Sequence, residues 1–162
     1  MHIDTEVQSL LHSVRVGMLA TVGDTFPLAS AVPFISLKGW TELVLHISTL
    51  AAHTQNLLRD PRLSLLVMET DDPQKNPLAL KRLSLQGTAD PIDSQSPTYD
   101  MLARQFTDRF PDAAVTMALA DFQFWRLDIQ IAQFIAGFGR AYAAQSSQPS
   151  VWQQQGRRDS KP

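Results

Sequence analysis

The chain has no cysteine, which excludes a disulfide framework, a thiolate metal site and a cysteine nucleophile. The same absence fits a reducing compartment, so a cytoplasmic location is expected. Neither charge sign is in excess: 14 Lys and Arg stand against 16 Asp and Glu, for a net charge of −2 with the signs interspersed. Nucleic-acid binding rests on a basic surface, so no DNA or RNA partner is expected. Long apolar runs are missing as well. Nothing approaches the roughly 20 residues that cross a bilayer, and the opening Met-His-Ile-Asp-Thr-Glu carries no basic segment ahead of an apolar one. A soluble protein with no membrane partner is the expectation. The four histidines, His2, His12, His46 and His53, lack ligand spacing on any predicted helix and gather no acidic residues, so no metal site is expected. There is no Gly-x-Ser-x-Gly elbow for a serine hydrolase. Gly137-Phe-Gly-Arg140 is not a dinucleotide fingerprint, because Tyr142 stands where a third glycine is needed and no long helix follows.

What is present is a core. With 162 residues, 44% of them apolar, the chain is long enough for one well-buried domain and too short for two. Val7, Leu10, Leu11 and Val14 follow a helical period, and Thr5 with Gln8 has the spacing of a capping box, which predicts a helix over 5–13. Residues 17–22 and 28–37 flank a Gly23-Asp24 turn signal as a hairpin does, and Pro33 marks an edge, a bulge or a point where pairing opens. Residues 70–79 are rich in Asp, Asn and Pro and read as a loop, and Lys81 to Ile92 as a strand in which Gly87 is a bulge or a close approach. A helix opens at Ser96-Pro97 and a short one covers 112–119; strands are expected over 122–128 and 132–136. Many strands with few helices indicate a β-rich barrel. The domain is expected to close at residue 144, leaving 145–162 as a polar, unpacked tail in which only Val151 and Trp152 are large and apolar.

The most informative stretch is His46 to Met68, which reads as strand, short helix, strand. Ser48 or Thr49 is placed to cap the helix, Leu50, Leu57 and Leu58 fall on one helical face, and Pro61 ends it. Hydroxyls (Ser48, Thr49, Thr54), an imidazole (His53) and an amide (Asn56) crowd around the helix start, where free N–H groups attract anions, so a phosphate suits the composition. A capped helix with ordinary surface polarity explains the same spacing. His46 lies in a predicted strand and is expected as a core or cross-strand residue.

Beyond these patterns, several segments carry a family resemblance: Leu19-Ala-Thr-Val22, Pro27-Leu-Ala-Ser30, Ser48-Thr-Leu-Ala-Ala-His-Thr-Gln-Asn-Leu57, Asp60-Pro-Arg62, Arg82-Leu-Ser-Leu-Gln-Gly87, Phe110-Pro-Asp-Ala113, Asp121-Phe122 and Gly137-Phe-Gly-Arg-Ala141. Over about residues 11–143 the chain resembles the flavin-binding split barrels of the pyridoxamine 5′-phosphate oxidase-like superfamily, in the haem-utilisation branch of HugZ and HutZ. The resemblance implies a six-stranded split barrel with flanking helices (α+β), a homodimer, and an FMN site in each groove between subunits. Carried over position by position, Ser48, Thr49, His53, Thr54 and Asn56 match the phosphate-holding stretch; Ser30, Val32 and Pro33 lie on the strand whose backbone faces the flavin ring; Arg82 matches a basic position on an adjoining strand. The oxidases place Ser-Arg-Lys where this chain has Ala51, Ala52 and His53. Their C-terminal Arg-x-His substrate motif is absent, and the tail around Gly156-Arg-Arg158 lacks the histidine that serves the haem-degrading relatives as axial ligand. The resulting expectation is an FMN-binding small oxidoreductase acting on a small-molecule substrate. The alternatives are a haem-binding or haem-degrading protein, with Asp121 and Arg140 near the haem and His46 or His53 as substitute ligands, or a non-catalytic dimeric module.

Overall fold

The computed structural model describes residues 2–156. Its centre is a closed antiparallel barrel. Strands β1 (Val16–Thr21), β2 (Leu28–Ser36), β3 (Glu42–Ser48), β4 (Arg62–Met68), β5 (Arg82–Pro91) and β6 (Phe122–Gly137) lie in the order β3-β2-β1-β4-β5-β6, and β3 pairs with β6 to close the ring. Strand alternation sets the interior. Leu19, Phe34, Leu43, Leu45, Leu65, Leu83, Leu85, Leu127 and Phe134 are fully buried, while their neighbours along each strand point outward. The six-stranded split barrel with flanking helices is therefore the fold.

Two irregularities shape it. At Gly87 the β5–β6 register shifts, and a Cβ there would run into the Asp128 carbonyl oxygen, so glycine permits the bulge that bends the barrel. At Pro33 the β2–β3 ladder stops: β3 pairs only with Phe34, Ile35 and Ser36, although β1 pairs along β2 from Leu28 to Pro33. A proline without an N–H suits this opening. The stretch from Leu28 to Pro33 thus keeps one backbone edge free.

Helix α1 (Ile3–Ser13) starts two residues before the expected Thr5, with His2 as its N-cap and no side-chain capping bond, so the predicted capping box does not form. Tertiary contacts fix it instead. Val7, Leu10 and Leu11 enter the core, and Arg109 of helix α3 (Tyr99–Arg109) donates to the carbonyls of Leu11, His12 and Val14 at its C-terminal end. Glu6 is 3% exposed and accepts from Lys81 (3.0 Å) and Arg140 (2.9 Å). Burial alone would raise its pKa, but the hydrogen bonds and charges of these two cations outweigh it and hold the carboxyl below the ordinary glutamate value. A second core, of Ile35, Val44, Ile92, Leu102, Phe106, Phe110 and Phe124, lies between the barrel wall and α3, and the short α4 (Ala113–Met117) packs on it.

The two strands expected over 122–128 and 132–136 are one, β6, which spans 16 residues because it serves three partners, β3 along its first half, β5 from Trp125 to Ile135 and β7 along its second half. Strand β7 (Arg140–Gln145) then returns along β6. Past it, the expectation of an unpacked tail from residue 145 needs correction for the described part. Residues 153–154 form a short strand, β8, on β7, and Trp152 stacks against Trp40 and Phe134 with ring centroids 5.8 and 6.2 Å away. The Trp152 indole donates to Asp4 and the Trp40 indole to the Pro149 carbonyl. One tryptophan with an indole partner and a strand edge supplies the anchoring that composition alone did not reveal. Residues 157–162 lie outside the described residues.

Candidate functional site

Helix α2 (Ala52–Arg59) caps one end of the barrel. It does not use the face predicted from its leucines: Leu57 is buried, but Leu50 and Leu58 are 82% and 57% exposed. Thr54 and Asn56 go inward in their place, at 0% and 6% exposure. Each finds an internal partner. The Thr54 hydroxyl donates to the Ser48 carbonyl (2.6 Å), and the Asn56 amide donates to the Thr21 hydroxyl (3.0 Å) and accepts from Arg59 (2.5 Å). Arg59 also pairs with Asp24, which ties the β1–β2 turn to the helix.

The approach to α2 is equally occupied. Its N-cap is Ala51, without a side-chain bond, so neither Ser48 nor Thr49 caps the helix directly. The Ser48 hydroxyl accepts from the Leu50 N–H (3.1 Å) and donates to the Asp121 carboxylate at 2.5 Å. The Thr49 N–H donates to the Asp121 carbonyl (2.7 Å), and its own carbonyl accepts from Gln55. The β3–β6 register causes this, because Ser48 pairs with Phe122 and so brings the preceding residue of β6 against the turn. His53 differs from its neighbours. Its ring is half-buried, its Nε2 is shut off from solvent without a hydrogen-bond partner, and burial lowers its pKa, which favours the neutral imidazole.

Of the residues carried over from the family, Ser48, Thr49, His53, Thr54 and Asn56 thus come together, with Ser30 half-buried and Val32 buried on the adjacent β2 and Pro33 exposed at its opening. Arg82 does not join them within one chain. It pairs with Met68 at the far end of β4, six positions beyond Arg62, roughly 20 Å from the α2 end. Arg140, considered beside a haem, is held by Glu6 and the Ala136 carbonyl. His46 is enclosed by Phe106, Phe122 and Phe124, and burial pushes its pKa down to about 4, so it is a core residue and not a ligand. A cleft of about 620 Å³ between α1, the end of β2 and α3, lined by His12, Ile35 and Arg109 among others, contains none of the carried-over residues. The site is an open face.

An FMN phosphate does not fit this face well. A dianion needs donors, yet the hydroxyls of Ser48 and Thr54 and the amide of Asn56 are committed to protein acceptors, no cation precedes the helix, and a carboxylate stands against Ser48. The structure leaves the first N–H groups of α2, the Thr49 hydroxyl and one neutral imidazole. Thr21, Asp24 and Arg59, which complete the network, had no local signature: the Asn56–Thr21 and Ser48–Asp121 bonds join positions 35 and 73 residues apart.

The pyridoxamine 5′-phosphate oxidase family model matches residues 3–136. The chain belongs to that family. Within it, the chain is similar to the heme oxygenase HutZ of Vibrio cholerae, with 29% identity over 143 residues, covering 86% of this chain and 80% of HutZ. The chloroplastic non-canonical heme oxygenase HOZ of Arabidopsis thaliana is 26% identical over 140 residues, but this chain spans only 41% of it. Among solved structures, a heme binding protein from Mycobacterium smegmatis superposes with a TM-score of 0.79 at 28% identity, over 91% of this chain and 59% of that one. The haem-utilisation branch of the family is thus where its similar relatives lie. Among the described residues, no helix is long and apolar enough to cross a membrane.

Proposed function

We propose that this protein binds haem and acts on it, as a split-barrel dimer whose two grooves lie between subunits. The observation that carries the reading is the character of the α2 face. The hydroxyls of Ser48 and Thr54 are turned to protein acceptors, and what remains is the Thr49 hydroxyl, a neutral imidazole, His53, and the exposed apolar side chains of Leu50 and Leu58 on the same segment, with Phe26, 79% exposed, in the β1–β2 turn that Asp24 ties to α2. A flat apolar macrocycle gains from such a surface, whereas a phosphate does not. Of the histidines described, His2 and His12 are exposed on or before α1 and His46 is caged by aromatic rings, which leaves His53 to meet the haem iron. A neutral imidazole is the protonation state that iron ligation requires, and the Nε2 of His53, buried without a partner, would reach the iron once its ring turns outward. Haem supplies the redox chemistry when bound; the chain's part is to hold the ring, exclude water and keep His53 neutral. The names of the similar relatives point the same way.

The dimer has its own support. The outward positions Val16 and Met18 of β1, Ala29 and Ala31 of β2 and Met68 of β4 make an apolar face with Val16, Met18 and Met68 each more than 40% exposed, next to the free edge of β2.

An FMN-dependent oxidoreductase is the second reading. The family and the unpaired backbone of Leu28 to Val32 favour it, and the phosphate environment opposes it. Titrating purified protein separately with haem and with FMN decides between them: a saturable Soret shift with no flavin uptake supports the haem reading, and flavin uptake with haem inert overturns it.

A further inference from the structure

We infer that Asp121 is a specificity-determining residue that disables the family's phosphate cradle in this chain. The backbone of the cradle is intact: β3 ends at Ser48, one turn leads into an eight-residue helix, and the N–H groups that open α2 face away from the helix body. Such an arrangement binds an anion by default, so its failure to fit one needs a cause. Asp121 supplies it twice. Its side chain takes the Ser48 hydroxyl at 2.5 Å, removing one of the two hydroxyl donors of the turn that leads into the helix, and it sets a negative charge beside that turn. Its backbone carbonyl holds the Thr49 N–H at 2.7 Å, so the end of the β3–β6 ladder keeps the residue beside the turn, within reach of Ser48. No lysine or arginine at positions 51 or 52 offsets the charge, since both are alanine. Arg59, the cation at the other end of the helix, is engaged by Asp24 and Asn56.

The inference concerns flavin discrimination and stands apart from whether haem binds. Its test compares FMN with riboflavin, which carries the same ring without the phosphate, by quenching of flavin fluorescence on the full chain. For the wild type the two flavins should behave alike, either with dissociation constants within a factor of about two or with neither taken up, because the phosphate contributes nothing. In Asp121→Ala, FMN should gain on riboflavin several-fold, and in Asp121→Ala combined with Ala52→Lys at least tenfold. Asp121→Asn keeps the hydrogen bond to Ser48 and lifts only the charge, so it should fall between, and it reads the same effect if the alanine variant fails to fold by circular dichroism. The inference is overturned if wild-type protein already prefers FMN tenfold, or if folded Asp121 variants show no gain of FMN over riboflavin. A haem titration of the same samples reports separately on the haem reading.

Discussion

His46 illustrates how a single residue's surroundings become a measurable property. It is 6% exposed, ringed by three phenylalanines, and its Nδ1 has only the Thr116 hydroxyl at 3.4 Å. Burial lowers its pKa from 6.5 to about 4. The unfolded chain therefore binds a proton that the folded chain rejects between those values, so stability is complete above about pH 6.5 and falls as the pH drops toward 4. Between pH 7 and pH 5 this group should remove roughly 2 kcal/mol, read as a lower denaturant midpoint, and His46→Phe should abolish most of that dependence. The sequence placed His46 in a strand as a core or cross-strand residue; alternation with Leu45 and Ile47 puts it on the outer face of β3, and α3 through Phe106 is what buries that face. Thr54 and Asn56 were harder. A polar side chain at a helix start looks the same whether it bonds a ligand outside or a strand inside, and its partners, Ser48 and Thr21, come from the tertiary fold.

At the scale of elements, local patterns found the strands and helices and missed what depends on distant partners. The hairpin of β1 and β2, the bulge at Gly87 and the opening at Pro33 follow from backbone chemistry written at those positions. The docked segment before residue 157 does not: Trp152 needs Trp40, Phe134 and Asp4, none of them near it in sequence. Because its ring is half-buried and its indole bonded, Trp152→Ala should cost about 1–3 kcal/mol, below the loss expected for a wholly buried tryptophan. Thermal or urea unfolding of the variant checks this, and an unchanged midpoint would mean that β8 contributes nothing to the barrel. The predicted cap of α2 by Ser48 or Thr49 missed for a related reason. The hydroxyl at 48 has two uses open to it, and the register of β3 against β6, fixed over seven residue pairs, decides in favour of Asp121.

For the whole molecule, the barrel leaves, among the described residues, an apolar face beside the unpaired stretch of β2, the surface on which the proposed dimer would form. Met18→Glu places a charge in the middle of that face. If the face is the dimer contact, the substitution should weaken association by roughly 3 kcal/mol, about a hundredfold in Kd, as the cost of burying an unpaired carboxylate. Sedimentation velocity across a concentration series would show it, and a dimer that persists with unchanged affinity would place the contact elsewhere. Family membership was legible because the matching segments recur along the whole barrel, in the turns at 48–57, 60–62 and 137–141 and within β1, β2 and β5. The cofactor was less legible, since the family's phosphate stretch is present in outline while its donors are turned inward. The most direct test of the haem reading is a visible-range titration of the wild type and of His53→Ala with haem. Saturable binding with a Soret shift in the wild type, weakened about tenfold or more and spectrally altered in the variant, is the predicted result. A wild-type spectrum that remains that of free haem, or a variant that binds with the same affinity and the same spectrum, would contradict the assignment of the α2 face to haem through His53.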